Sequence, residues 1–338
     1  MSKNLLVTLE FPPQIGGTQK YYQNLCSAYG ANQIVVLTPP ALNAKLFDQT
    51  QAYKIIRHKF FGLIWPRWFK LSRTIQKVVQ TENIDYILAG QIIPVGSAVL
   101  LAKKPFAVFL HGKDIGILSG RKKILAQEIL NKADKIFVNS NFTKSLLLQK
   151  FKAAENKIQV NHPVVRVDAQ VERQARALTQ KLIQQYNLGG KKIILTIARL
   201  VERKGHGYLI EALARLKENF PNLIYVIVGT GPYRDELTAK SKRLGVSEQI
   251  IFTGSVSEVE MNAWLQVCDI FAMTPTQNSQ DVEGFGIVYL EAKHYQKPII
   301  AAASGGVKEA IGKYSKAIYV NPDNVGSIPN AIKTLCQK

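Results

Sequence analysis

KIILTIARLVERKGHGYLIEAL, residues 192–213, holds a strand, a turn and the start of a helix in one line. Residues 192–197 are apolar almost throughout and do not alternate with polar ones. That is how a strand reads when a parallel sheet is covered on both faces. Arg199 follows at the carboxyl end of the run, and Lys204 stands just before Gly205 and a helical pattern. Strand, loop and helix in that order make half of a βαβ unit.

The same style recurs on either side. Upstream lie LLVTLEF (5–11), QIVVLT (33–38), DYILAG (85–90), PFAVFLH (105–111) and KIFVNS (135–140). Downstream lie LIYVIVG (223–229), QIIFTG (249–254), DIFAM (269–273), KPIIAA (297–302) and KAIYV (316–320). The class is therefore α/β, with two doubly wound parallel sheets in series and a cleft expected between them. A length of 338 residues also favours two cores over one. NHPVVRVDAQ (161–170) brings a proline and no strong periodicity, so the boundary is placed near Pro163, giving domains 1–163 and 164–338. VERQARALTQKLIQQYNLGG (171–190) reads as a helix closed by Gly189 and Gly190.

No apolar run reaches the roughly 18–20 residues needed to span a bilayer. The opening apolar run is too short for a signal peptide and soon meets Pro12 and Pro13. Cys26, Cys268 and Cys336 form neither a disulfide framework nor a metal spacing, so a reducing cytoplasm is expected. The net charge is +20, and residues 1–160 hold 22 Lys/Arg against 8 Asp/Glu. So basic an N-terminal half implies an anionic partner, whether membrane surface, nucleic acid or acidic substrate, or else only a soluble basic surface.

DVEGFGIVYLEA (281–292) sets Glu283 and Glu291 eight positions apart around Gly284 and Gly286. On one helix they would sit about 80° apart, not on one narrow face. The glycines argue that the helix starts between them, with Glu283 in the entering loop and Glu291 about two turns in. A carboxylate and the free N–H groups of a helix start would then face one polar, anionic ligand. FPPQIGGTQKYYQNL (11–25) brings Gly16 and Gly17 to a second helix start, which by itself also suits a plain turn. Arg199 and Lys204 flank a loop at a strand end and would suit a diphosphate, or could be two surface cations; Arg203 is expected to be solvated. His111, directly after a strand in FLHGKDIG (109–116), could bind substrate or shift protons, or be structural; Asp114 is the weaker candidate beside it. His58, His162, His206 and His294 have no comparable placement.

RHKFFGLIWPRWFKLSRTIQKVVQ (57–80) mixes Arg57, His58, Lys59, Arg67, Lys70, Arg73 and Lys77 with Phe60, Phe61, Trp65, Trp68 and Phe69. The mixture fits an interfacial membrane segment, with Lys59, Trp65, Arg67, Trp68 and Lys70 as contacts. It would also fit single-stranded nucleic acid, or aromatics in a core with cations at its edge.

Taken in this order, these pieces resemble glycosyltransferase family 4, from Leu5 to about Asp323. Glu283 and Glu291 match its E-x7-E element, and Arg199 and Lys204 its R-L-x-x-x-K-G element. GTGPYRDEL (229–237), FTGSVSEVEM (252–261) and ASGGVKEAI (303–311) match the intervening segments. Within the family the likeness is greatest to bacterial phosphatidylinositol mannosyltransferases. The resemblance implies the GT-B fold of two facing Rossmann-like domains, an N-terminal acceptor side and a C-terminal donor side. It implies a retaining hexosyltransferase with neither metal nor cofactor; no clear Asp-x-Asp site is present. Its partners would be a nucleotide sugar, GDP-mannose favoured over UDP-glucose or UDP-N-acetylglucosamine, and a lipid, lipid-linked or glycan acceptor. An anionic membrane surface is expected as a further partner and nucleic acid is not, which places the chain in the cytoplasm, peripheral on the inner face of the cell membrane.

The resemblance also carries roles. Gly16 and Gly17 would contact the donor diphosphate or sugar, and Arg199 and Lys204 would hold the diphosphate. Glu283 would bind sugar hydroxyls, with backbone groups of Phe285, Gly286 and Ile287 in support. Glu291 would take the ribose, the stretch around Ser255 and Val256 the base, and His111 would approach the sugar and acceptor. The chain departs from the family pattern in two places. NHPVVRVDAQ stands where a Pro-Gly-Val-Asp-like turn is usual, and many relatives continue past the last helical pattern (325–337) with a helix crossing back.

Overall fold

A computed structural model describes residues 2–62, 66, 68–276 and 281–337. Two compact units share the chain, residues 1–164 and 165–338. Each is built on a parallel sheet.

In the first unit the strands are β1 (Asn4–Val7), β2 (Ile34–Thr38), β3 (Lys54–Arg57), β4 (Tyr86–Ala89), β5 (Phe106–Leu110), β6 (Lys135–Val138) and β7 (Ile158–Val160), in spatial order 3-2-1-4-5-6-7. In the second they are β8 (Lys192–Ile197), β9 (Leu223–Val228), β10 (Ile250–Gly254), β11 (Ile270–Met273), β12 (Ile299–Ala302) and β13 (Ala317–Val320), in order 10-9-8-11-12-13. All pairings are parallel; β1, for example, sets Leu5 opposite Val35 on one side and Ile87 on the other. Both orders are doubly wound, and each reverses direction beside its first strand, between β1 and β4 and between β8 and β11. Ligands of such sheets bind outside the carboxyl ends of the strands at that reversal.

The central strands are apolar because helices cover both faces. β2, β5 and β9 are buried along their whole length. The two edge strands of the first sheet, β3 and β7, are short and part-exposed, and the apolar-run reading did not identify them. KIIR and IQV hold only two apolar residues each, so they do not stand out as the longer apolar runs of the edge strands β10 and β13 do.

The helix after the junction runs Ala169–Gln185, with Asp168 accepting hydrogen bonds from the N–H groups of Gln170 and Val171. Asn187, not Gly189, makes its left-handed closing turn (φ 51°), and the Leu188 N–H returns to the Ile183 carbonyl at 2.9 Å. Asparagine tolerates that conformation better than most residues. This helix packs on the helix Glu258–Val267 through Tyr186 and the fully buried Trp264, ring centroids 5.3 Å apart. Trp264→Ala should lower the unfolding free energy by about 3–5 kcal/mol, read from urea denaturation. A loss below about 1 kcal/mol would show that the ring does not lock these helices.

Candidate functional site

The second unit gathers charge at the carboxyl ends of β8 and β11. After β8 the chain makes a short loop, and Gly205 (φ 80°) starts the helix His206–Leu216. Close backbone approach fixes this loop. A Cβ on Gly205 would lie 2.1 Å from the Thr274 carbonyl oxygen, and one on Gly231 2.2 Å from that of Leu200. The Leu200 N–H donates to the Thr230 carbonyl at 2.9 Å, and the Thr276 N–H to the Arg203 carbonyl at 2.8 Å. The loops after β8, β9 and β11 thus hold one another in place.

DVEGFG enters this assembly from beyond β11. The Glu283 carbonyl accepts from the Gly306 N–H at 2.9 Å. A side chain at Gly305 would strike Glu283, and one at Gly306 would strike Gly284, each within 2.1 Å of a carbonyl oxygen. ASGGV is therefore the bare surface on which EGFG lies. Gly286 (φ 87°) then opens the helix Ile287–His294, and Tyr289 anchors it by donating to the Met273 carbonyl at 2.7 Å. The helix starts where the glycines predicted, and Glu291 lies buried a little over one turn in.

Glu283 is only 8% exposed. Lys204 Nζ and Arg203 Nη1 both donate to its Oε2, the latter at 3.0 Å, and Arg203 Nε lies 2.9 Å from Asp281 Oδ1. Burial alone would raise the Glu283 carboxyl, but the two cations overturn that and hold it below the ordinary glutamate range. The expectation that Arg203 is solvated is corrected here: Asp281 and Glu283 draw it inward. Arg199 lies exposed at the start of the same loop. Phe285 and Val256 put their side chains into the core of this unit, so what they offer a ligand is backbone.

His206, given no role above, is fully buried. Its Nδ1 lies 3.3 Å from the Tyr225 hydroxyl, which pairs with Thr196 Oγ1 at 2.9 Å, and Thr196 donates to the Ala272 carbonyl. This chain braces β8, β9 and β11 under the loop, and burial lowers the His206 pKa to about 4. Only the fold assembles it, since Thr196, Tyr225 and Ala272 lie far apart in sequence.

In the first unit Gly16 and Gly17 open the helix Gly17–Ser27, which carries Tyr22 to His111 at the end of β5. The Tyr22 hydroxyl donates to the Gly90 carbonyl and stands 2.8 Å from His111 Nε2. A hydroxyl has one proton, so His111 Nε2 must be the donor and Nδ1 keeps its lone pair. Asp114 Oδ1 accepts from the His111 N–H at 2.9 Å. Burial raises the Asp114 carboxyl to about 6 against the pull of nearby backbone N–H groups, and lowers the His111 imidazole to about 4.

Of the residues expected at a membrane, Lys59 and Lys70 are exposed, while Trp68 is half-buried against the core. Trp65 and Arg67 lie outside the described residues. Arg57 leaves that group: both its Nε and Nη2 bind Asp48, and Nη2 also reaches the Pro12 carbonyl. Phe60 is core. Among the described residues no helix is long and apolar enough to cross a membrane, and no cluster of three His, Cys, Asp or Glu could hold a metal ion.

Known proteins fit this architecture. The family profile described as Glycosyltransferase Family 4 matches residues 15–169, and that described as Glycosyl transferases group 1 matches 179–338. A GDP-mannose-dependent alpha-(1-6)-phosphatidylinositol monomannoside mannosyltransferase of Mycolicibacterium smegmatis is 30% identical, over 98% of this chain and 88% of its own. A GDP-mannose-dependent monoacylated alpha-(1-6)-phosphatidylinositol monomannoside mannosyltransferase of Corynebacterium glutamicum is 31% identical, over 91% and 82%. Among solved structures, Anabaena HepE in complex with UDP and glucose superposes with a TM-score of 0.82 at 22% identity, covering 100% of this chain and 90% of that one. The chain is a hexosyltransferase with the GT-B fold. It belongs to glycosyltransferase family 4.

The lowered His111 pKa sets a pH dependence. Its folded-state value lies below the roughly 6.5 of an unfolded histidine, so its contribution is present above about 6.5 and fades as pH falls toward 4. Over that window wild type should lose thermal stability relative to His111→Gln. Parallel melting curves for the two proteins would show that His111 is not buried as described.

Proposed function

We propose that the chain is a retaining mannosyltransferase. It takes mannose from GDP-mannose and passes it to a lipid, lipid-linked or glycan acceptor at a membrane surface. The observation that carries the reading is Lys204 meeting the buried Glu283 beside the helix start at Gly286, with Arg199 exposed at the start of the lysine's loop. Mannose rather than another hexose is supported by the two relatives near 30% identity whose names specify GDP-mannose.

In such a transfer the bond between the anomeric carbon and the diphosphate oxygen breaks, and its electrons leave with the diphosphate. In this reading Arg199, Lys204 and the N–H groups at residues 286–287 meet that charge, and preorganised donors of this kind supply much of catalysis. Glu283 holds hydroxyls of the sugar and Glu291 those of the ribose. The backbone around Ser255 and Val256 takes the base. Gly16 and Gly17 let a backbone come close to the phosphates, and His111 presents Nδ1 as an acceptor toward the sugar or the incoming hydroxyl. The acceptor hydroxyl attacks on the face the diphosphate leaves, which retains configuration. The leaving oxygen, newly basic on that same face, takes the proton. In this reading residues 1–163 form the acceptor side and 164–338 the donor side. A UDP-sugar is the second reading, favoured by the likeness to a structure that holds UDP and glucose.

Calorimetric titration with GDP, UDP, GDP-mannose, UDP-glucose and UDP-N-acetylglucosamine tests the donor. Tight GDP binding that Arg199→Ala weakens is expected; preference for UDP would overturn mannose but keep the mechanism. Glu283→Ala should fold and lose transfer by about 100-fold or more; an active variant would remove Glu283 from the site.

For the membrane, Phe61 and Phe69 are exposed beside Lys59, Lys70, Arg73 and Lys77, and the Arg73 guanidinium lies 4.8 Å from the Phe69 ring centre. A second exposed group, Ile117 and Ile124 with Arg121, Lys122 and Lys123, follows β5. Apolar side chains among cations suit an anionic bilayer at the cytoplasmic face. Cosedimentation should be strong with vesicles containing phosphatidylglycerol, weak with phosphatidylcholine alone, and reduced by Phe61→Ser with Phe69→Ser. Equally poor binding to both vesicles would sink this attachment.

A further inference from the structure

Lys204 has three N–H donors but one charge, and a diphosphate would draw that charge away from Glu283. Here it serves Glu283. A nucleoside diphosphate that recruits Lys204 must take it from a carboxylate that is almost wholly buried. A buried carboxylate left without a charged partner is strongly disfavoured. The structure supplies a second partner. Arg203 Nη1 lies 3.0 Å from the same Oε2, and Arg203 has partners besides Glu283. Asp281 Oδ1 lies 2.9 Å from Arg203 Nε as an ion pair outside hydrogen-bond geometry, and the Arg203 carbonyl accepts from the Thr276 N–H at 2.8 Å. Glu283 Oε1 makes no hydrogen bond among the described residues, which leaves it for a sugar hydroxyl.

We propose that Arg203, braced by Asp281, is the positioning residue that keeps Glu283 charged and in place while Lys204 moves to the donor diphosphate. This rests on the donor-site reading above and deepens it. Lys204 is then an exchangeable cation and Arg203 a fixed one. The exchange lets one carboxylate partner the lysine in the empty site and bind sugar in the filled one. Neither Arg203 nor Asp281 needs to touch the donor.

GDP and UDP binding is measured by calorimetry at pH 8 and pH 6, in buffers of different ionisation enthalpy. Wild type, Arg203→Lys, Arg203→Met, Asp281→Asn and the double variant Arg203→Met/Glu283→Gln are compared, with thermal melting as the control for folding. Wild type is expected to bind without proton uptake. Arg203→Met should bind about 10- to 100-fold more weakly at pH 8, take up a proton on binding, and recover part of its affinity at pH 6. Asp281→Asn should shift the same way by less, and Arg203→Lys should retain most of the affinity. The double variant should return to near wild-type affinity, because a neutral amide neither needs Arg203 nor holds Lys204 as strongly. Arg203→Met binding as wild type, or a double variant as weak as the single one, would overturn the proposal; the latter would make Arg203 merely structural. Wild type binding neither nucleotide would instead overturn the donor-site reading on which it rests.

Discussion

A carboxylate out of water must be neutralised where it stands, and Glu283 imposes that condition on the second unit. It fixes where two consecutive cations point and explains why Arg203 turns away from solvent. It also needs a backbone that can reach it. Gly305 and Gly306 provide this by having no side chains, so that the segment carrying Glu283 lies directly on theirs. Gly205 plays the same part for the lysine's loop against Thr274. The charged cluster is thus held by main chain, and main chain can approach only because glycine stands at these contacts.

The first unit solves a milder problem by different means. Around His111 the contacts are hydrogen bonds, to Tyr22 at its Nε2 and to Asp114 at its main-chain N–H. Tyr21 and Tyr22 meet the imidazole edge-on, with ring centres 5.2 and 5.4 Å away. Burial keeps that ring uncharged at neutral pH.

Much of the architecture was legible because burial on both faces leaves an unbroken apolar run in the sequence. β2, β5 and β9 were read on that ground. β3 and β7 were not, since KIIR and IQV hold only two apolar residues each, whereas the part-exposed edge strands β10 and β13 carry more and were read. The start of the helix Ile287–His294 was readable from its glycines, whereas the end of Ala169–Gln185 was assigned to glycines although Asn187 makes the turn. Within the site, Lys204 and Glu283 were each picked out because both sit in recognisable local patterns, but their ion pair with one another was not read. Arg203 could not: its partner Asp281 is 78 positions away, and an arginine beside a loop is solvated by default. His206 was passed over for the same kind of reason, since its burial is made by Tyr225 and Thr196 on neighbouring strands.

The hydroxyl of Tyr22 has one proton, and the Gly90 carbonyl claims it. What remains on that oxygen can only accept, so the imidazole facing it must donate its Nε2–H, which leaves Nδ1 as the unprotonated nitrogen. A main-chain oxygen at the end of one strand thereby dictates which side of a ring on the next strand is basic. The polarity of His111 is a relayed property, written by a residue that has no side chain at all.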